Sequence, residues 1–259
     1  MRRMKEFEQG RREGQRTLTG QLLQSLGQAI VAGEFDGGGF PTEAEIAEHY
    51  RVSRSVTREA VKMLTAKGIL AARPRSGIST QPQSHWSLLD PDVLRWMLER
   101  KFSYELLRHF TEMRLGLEPA AAALASKNAS AEARLRIAHG LERMVAAERG
   151  DDDALAADIA FHVAILDATA NPFFMQLDEL IATALTISIR MTNRIKGHTA
   201  SIPAHRRVLD AIEARNPTRA ATAMTAILGE VANLIATGRD ADVKASASPS
   251  RPRRSRKPR

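Results

Sequence analysis

Apolar residues recur at helical spacing along most of this chain. In TGQLLQSLGQAIVAGEF, Leu22, Leu23, Leu26, Ala29 and Ile30 share one face, and Gly33 supplies a stop. A GGGFP loop leads to PTEAEIAEHY, where Thr42 as N-cap and Glu45 three residues on form a capping box, with Ile46, Ala47 and Tyr50 on the buried side. In VSRSVTREAVKML, Val52, Val56, Ala60 and Leu64 make a stripe, Ser53 is the N-cap, and the helix ends near Lys67 and Gly68. ILAARPRSGIST then changes to a loose alternation about a Pro/Gly turn, the mark of a short β-hairpin.

Beyond residue 86 the pattern is helical throughout. Asp90-Pro91, Asn171-Pro172 and Asn216-Pro217 each set an Asx N-cap before a proline at the first helical position, and Ser103 and Ser130 are further N-cap candidates. The pattern predicts helices near 90–100, 103–125, 130–148, 152–169, 172–195, 202–214 and 217–237, with Pro119 bending the second. There is no strand pattern here and no glycine-rich phosphate loop. The expected fold is mostly α: a winged helix-turn-helix domain at 18–80, a linker at 81–89, and an all-α bundle of six or seven helices at 90–238. A disordered arm at 1–17 and a disordered basic tail at 239–259 flank them.

Charge gives this outline a function. Of the formal net charge of +8, seven positive residues and no acid lie in KASASPSRPRRSRKPR at 244–259, so overall charge says little about the folded part. Local charge says more. Residues 18–50 hold no Lys or Arg and five acids, whereas 51–80 hold seven Lys/Arg and one acid, Glu59. That reversal predicts one basic and one acidic face. Arg54 and Arg58 sit in the first turns of their helix, where the helix dipole favours anions instead, so a docking polyanion accounts for them. In a helix-turn-helix this helix end enters the major groove of DNA. Lys62 extends the same face, Ser53, Ser55 and Thr57 offer hydroxyls, and Arg73 and Arg75 flank Gly77 at the wing. The chain has no cysteine, no signal-peptide pattern and no apolar run near the roughly 20 residues of a membrane span, which suits a soluble cytoplasmic protein.

Polar residues on buried stripes suggest a second site. In LAADIAFHVAIL, His162 shares a face with Leu155, Ile159 and Leu166, one turn after Asp158. His205 lies on a stripe with Val208, Leu209 and Ile212, and Arg114 sits among Leu107, Phe110 and Leu117. Burying such groups is costly unless they pair or bind something. Two readings stay open: a satisfied Asp–His hydrogen bond in the core, or a cavity where Asp158, His162 and His205 meet zinc, nickel or manganese and Arg114 pairs with a ligand carboxylate.

GEFDGGGFPTEAEIAEHYRVSRSVTREAVKMLTAKGIL resembles the DNA-binding domain of the GntR family of bacterial transcription regulators, with its P-[ST]-E-x-x-[LI]-A helix and V-S-R-[ST]-x-x-R-E-A helix. The resemblance implies operator contacts from Thr42, Ser53, Arg54, Ser55 and Arg58, aided by the wing at Arg73, Arg75, Ser76 and Gly77. Ala44 stands where many relatives carry a DNA-contacting arginine. EMRLGLEPAAAALA, DIAFHVAILDATANP and AHRRVLDAIEARNPTRAATAM resemble the FCD effector domain of the FadR subgroup. By that resemblance Asp158, His162 and His205 match three metal ligands, the fourth falls at Ile227, and Arg114 and Asn171 join them as effector contacts. WSLLDPDVLRWMLE resembles the linker helix of galactonate-operon repressors. The implied protein is a dimeric, palindrome-binding repressor released by a small carboxylate such as an aldonate. The competing readings are a metal-dependent all-α enzyme fused to a DNA-binding domain, for which no separate general base is evident, and a sequence-blind DNA binder driven by the tail.

Overall fold

The computed structural model describes residues 17–37, 39–73, 77–100, 104–196 and 200–247. Its contacts divide the chain into two compact units, 1–102 and 103–259.

The first unit holds α1 (Leu18–Ala32), α2 (Glu43–Tyr50), α3 (Arg54–Ala66), the hairpin β1 (Leu70–Arg73) and β2 (Gly77–Thr80), and α4 (Pro91–Arg100). Local chemistry sets the boundaries. The Thr17 hydroxyl accepts the Gly20 N–H at 3.0 Å, and Gly33 closes α1 in the left-handed conformation at φ 79°. Thr42 and Glu45 form the reciprocal capping box, and Ser53 accepts the Val56 N–H at 3.3 Å. β1 and β2 pair antiparallel, from Leu70 opposite Thr80 to Arg73 opposite Gly77. The hairpin tip, including Arg75 and Ser76, lies outside the described residues, as do Ser103, the arm at 1–16 and the tail at 248–259.

Two expectations change in this unit. The buried face of α3 is Thr57, Ala60, Val61 and Leu64, while Val52 and Val56 are only half-buried. Spacing of three and four follows a 3.6-residue helix, whereas a strict four-residue stripe drifts round it. The second change concerns 81–100. Gln81 N–H bonds to the Ile69 carbonyl, Ser87 N–H to the Lys67 carbonyl, and Lys67 Nζ reaches both Asp90 carboxylate oxygens at 2.7 and 2.8 Å. The expected linker is therefore tied down, and α4 packs on α1 instead of opening the second domain. Trp96 is buried against Gly27, where a Cβ would come within 2.5 Å of the indole, and its Nε1 donates to Gln24 Oε1 at 2.8 Å.

The second unit is all helical among the described residues: α5 (Tyr104–Asn128), α6 (Ala131–Glu148), α7 (Ala154–Ala168), α8 (Pro172–Met175), α9 (Asp178–Lys196), α10 (Ile202–Glu213) and α11 (Pro217–Ala247). The Asx-Pro starts hold: Asn171 caps the Phe173 N–H and Asn216 the Arg219 N–H. The single helix expected at 172–195 is broken, because Asp178 and Glu179 begin a fresh first turn at α9. α5 runs through Pro119 as one element. α11 continues past 237 to Ala247, as RDADVKASA contains neither proline nor glycine to end it, so 239–247 is helix instead of tail. Its stretch Pro217–Gly238 is also long and apolar enough to cross a membrane, against the expectation, because its alanines and scattered aliphatic residues, Met224, Ile227, Leu228, Val231, Leu234 and Ile235, raise its mean hydropathy without a continuous large-apolar run. One side of α11 packs on α5 and α10, burying Ala220, Met224, Leu228 and Ile235.

α7 is the central helix. It packs against α5, α6 and α9 and is buried nearly all round, from Ala157 through Phe161 and Ile165 to Ala168. Gly140 of α6 lets it approach closely, since a Cβ there would lie 2.9 Å from the Phe161 Cα. Any polar side chain on such a helix is taken out of water with it. Asp158 and His162 are in that position.

Candidate nucleic-acid face and ligand cavity

The start of α3 presents Arg54, Ser55 and Arg58 to solvent. Arg54 pairs with no carboxylate among the described residues. Arg58 is 65% exposed and lies 3.6 Å, through Nε, from Glu43 Oε2 at the start of α2. Lys62, also exposed, lies 3.7 Å from Glu59. Ser53 and Thr42 are exposed but engaged as caps, and the Thr42 hydroxyl also donates to Glu45 Oε2 at 2.8 Å. Arg73 and Gly77 end the two strands facing solvent. Thr57 does not belong to this face: it is fully buried and its hydroxyl donates to the Ser53 carbonyl at 3.3 Å.

In the second unit a cavity of about 470 Å³ is lined by Arg114 of α5, Asp158 and His162 of α7, His205 of α10, and Ile227 with its α11 neighbours. Both histidines have one nitrogen committed. His205 Nδ1 lies 2.8 Å from the Ser201 carbonyl, and His162 Nδ1 lies 2.6 Å from Glu118 Oε2. Both partners are acceptors, so both Nδ1 atoms donate and both Nε2 atoms are left facing the cavity. Those nitrogens converge on Asp158 Oδ1, at 3.1 Å from His205 and 3.6 Å from His162. The Asp158 Oδ1 and His205 Nε2 atoms are buried and have no hydrogen-bond partner. One donor atom from each of the three residues lies within 4.8 Å of the others. Three electron-rich atoms aimed at one point fit a divalent cation bound by one carboxylate and two imidazoles.

Burial pushes the Asp158 carboxyl up, but His205, His162 and Arg114 outweigh it and hold the group below the usual carboxylate range. Burial likewise opposes ionisation of Glu118, yet Arg114 and His162 hold it down at about 2.

The cavity thus brings together Arg114, Asp158, His162 and His205, and sets Ile227 in its wall where the resemblance implied a fourth ligand. Two expectations change. Asn171 is not among the lining residues; its side chain caps α8. Arg114 is not waiting for a ligand with its whole fork: Nε donates to Glu118 Oε1 at 2.5 Å and Nη2 to Oε2 at 3.3 Å. Glu118 is the residue that sequence reasoning missed. Its spacing of four from Arg114 on one helix was the available signal.

An exposed basic helix-turn-helix face in one unit and a polar cavity inside a helical bundle in the other define a DNA-binding regulator. Residues 18–79 match the model of bacterial regulatory proteins of the gntR family, and residues 109–230 match the FCD domain. The chain belongs to the GntR family of transcription regulators and carries the FCD domain. It is 34% identical over 204 residues to YieP, an uncharacterised HTH-type transcriptional regulator of Escherichia coli K12, covering 76% of this chain and 86% of that one. It is 31% identical over 199 residues to the galactonate operon transcriptional repressor of Escherichia coli K12, covering 75% of this chain and 86% of that one. Among solved structures, Lar of Listeria monocytogenes shares the fold at 18% identity and a TM-score of 0.55, over 86% of this chain and 98% of that chain.

Proposed function

We propose that this protein is a cytoplasmic repressor that binds a palindromic operator as a homodimer and is released by a small carboxylate of the sugar-acid class. The observation that carries the ligand half is the convergence of Asp158 Oδ1 and His205 Nε2, buried and unpartnered, with His162 Nε2 at a cavity that Arg114 also lines. The likeness to a galactonate operon repressor supports the sugar-acid class. Arg54 and Arg58 read base edges, while Thr42, Ser53, Ser55, Arg73 and Gly77, with Arg75 and Ser76 of the wing tip, hold the phosphate backbone.

Zinc, nickel or manganese, held by Asp158, His162 and His205, would supply a fixed positive charge and a Lewis-acid anchor for the effector carboxylate. Glu118 claims two of the five guanidinium N–H groups of Arg114, which leaves donors on Nη1 and Nη2 for the anion. Ile227 contributes no donor, so the ligand itself completes the site. Release follows only if the effector binds the DNA-free state more tightly than the DNA-bound state. α4 follows directly on the DNA-reading elements and is the segment through which ligand state reaches α1.

The test uses duplexes selected by the full-length protein from a random library, titrated with galactonate and gluconate in a mobility-shift assay with zinc present. Galactonate should release the wild type, while Asp158→Asn should keep DNA affinity and lose release. A wild-type protein whose DNA affinity and melting temperature ignore every sugar acid refutes the proposal.

A further inference from the structure

We infer that Glu118 is the positioning residue of the cavity: from behind its wall, one buried carboxylate fixes which nitrogen of His162 carries the proton while holding Arg114. Arg114 and His162 line the cavity and Glu118 does not, although all three are 2% exposed. Glu118 Oε1 accepts from Arg114 Nε at 2.5 Å, and Oε2 accepts from His162 Nδ1 at 2.6 Å and from Arg114 Nη2 at 3.3 Å. A carboxylate has an acceptor oxygen for each neighbour, so both are satisfied together. With Glu118 accepting from Nδ1, the Nε2 atom of His162 faces Asp158 Oδ1 at 3.6 Å, and in the neutral ring its lone pair is available to a cation. The plainer account, that Glu118 only neutralises Arg114, does not concern the imidazole and makes different predictions.

Glu118→Gln separates the two. An amide has one acceptor oxygen and one donor nitrogen. Arg114 has only donors and claims the oxygen, which turns the NH2 end to His162 Nδ1. That nitrogen must then accept, the proton moves to Nε2, and an N–H points at Asp158 where a lone pair was. Changing Arg114→Met as well removes the competitor. The amide oxygen turns back to His162, and the original tautomer returns. A second substitution that restores what the first removed is not expected from charge neutralisation, since the double variant has lost both charges.

The inference rests on the cavity as a cation-assisted carboxylate site, but its first readout requires no cation. Long-range proton–nitrogen spectra of metal-free, histidine-labelled full-length protein, followed up a pH series to the neutral form of the ring, report the tautomer of His162. The expected pattern is Nδ1–H in the wild type, Nε2–H in Glu118→Gln, and Nδ1–H again in Arg114→Met/Glu118→Gln. Zinc competition against a chromophoric chelator should follow the same order, with Glu118→Gln about 10- to 100-fold weaker and the double variant within a few fold of wild type. Retention of Nδ1–H and full zinc affinity in Glu118→Gln overturns the inference, and so does a folded, DNA-binding double variant that regains neither. A wild type with the expected tautomers but no zinc uptake overturns the cation reading of the cavity and upholds the role of Glu118 in setting His162.

Discussion

Arg58 is held without being buried. Glu43 touches only its Nε, at 3.6 Å, with the arginine side chain 65% exposed, and an open pair of this kind contributes little to stability. The guanidinium remains available to DNA, as does that of Arg54. Arg54→Ala and Arg58→Ala are each predicted to leave melting temperature and circular dichroism unchanged while weakening binding to a selected operator by about 1–3 kcal/mol, the range for a bidentate base contact. Measuring both variants on operator and scrambled duplexes over a salt series assigns each contact. A base contact lowers the specificity ratio; a phosphate contact weakens all sequences alike and reduces the salt slope by about one. Unchanged affinity on both duplexes removes the residue from the interface. Side-chain type alone misled at Thr57, whose hydroxyl reads as a DNA contact until burial at 0% and its bond to the Ser53 carbonyl are seen. Glu118 escaped for the opposite reason. An acid four residues after an arginine usually marks a solvated helix face, and only packing of α7 against α5 makes this pair a buried device.

Helix starts were legible because an Asx-Pro or Ser cap is chemistry of neighbouring residues, and the caps at Asp90, Ser130, Asn171 and Asn216 all make their bonds. Helix docking was not legible, since it depends on partners distant in sequence. α4 illustrates this: its amphipathic pattern was plain, but the side it joins is decided by the gap at Gly27 and by Gln24. Gly27→Ala puts a methyl about 2.5 Å from the Trp96 ring. It should destabilise the protein by about 1–3 kcal/mol, the usual cost of overpacking, and red-shift Trp96 emission in a Trp86→Phe background. An unchanged melting temperature and spectrum would mean that α4 is not seated there. The turn from α6 to α7 offers a pH test. Arg143 donates to both Asp152 oxygens, at 2.8 and 3.0 Å, and with the Asp153 N–H holds the Asp152 carboxyl at about 2, below its ordinary 3.8. A depressed carboxyl stabilises the fold above its ordinary pKa, and that contribution fades as pH falls from 3.8 towards 2. Asp152→Asn should therefore melt below wild type at neutral pH, and the gap should close on acidification through that window. A gap that stays constant to low pH would show that the ion pair does not supply it.

Across the whole molecule, the two halves of the function are legible to different degrees. The basic face of the helix-turn-helix unit follows from a local charge reversal, whereas the cavity needs α5, α7, α10 and α11 in place before its residues meet. Once they meet, their charges constrain the ligand. Arg114 stands among three carboxylates, those of Asp158 and Glu230 on the cavity wall and of Glu118 behind it. A carboxylate about 4 Å from Asp158 would meet repulsion of about 4 kcal/mol at an effective dielectric of 20. A divalent cation on Asp158, His162 and His205 reverses that sign. Galactonate should accordingly bind chelator-treated protein weakly and zinc-loaded protein more tightly, and linkage requires zinc affinity to rise with galactonate by the same factor, about 5- to 150-fold for ordinary couplings. Asp158→Asn removes both the cation ligand and the repelling charge. Its galactonate affinity should therefore be insensitive to zinc, yet higher than that of the metal-free wild type. Calorimetric titrations of the two proteins, each with and without zinc, give four affinities that decide the matter. Equal affinities in all four would mean that charge at Asp158 does not govern anion entry, and another part of the cavity would have to be found that does.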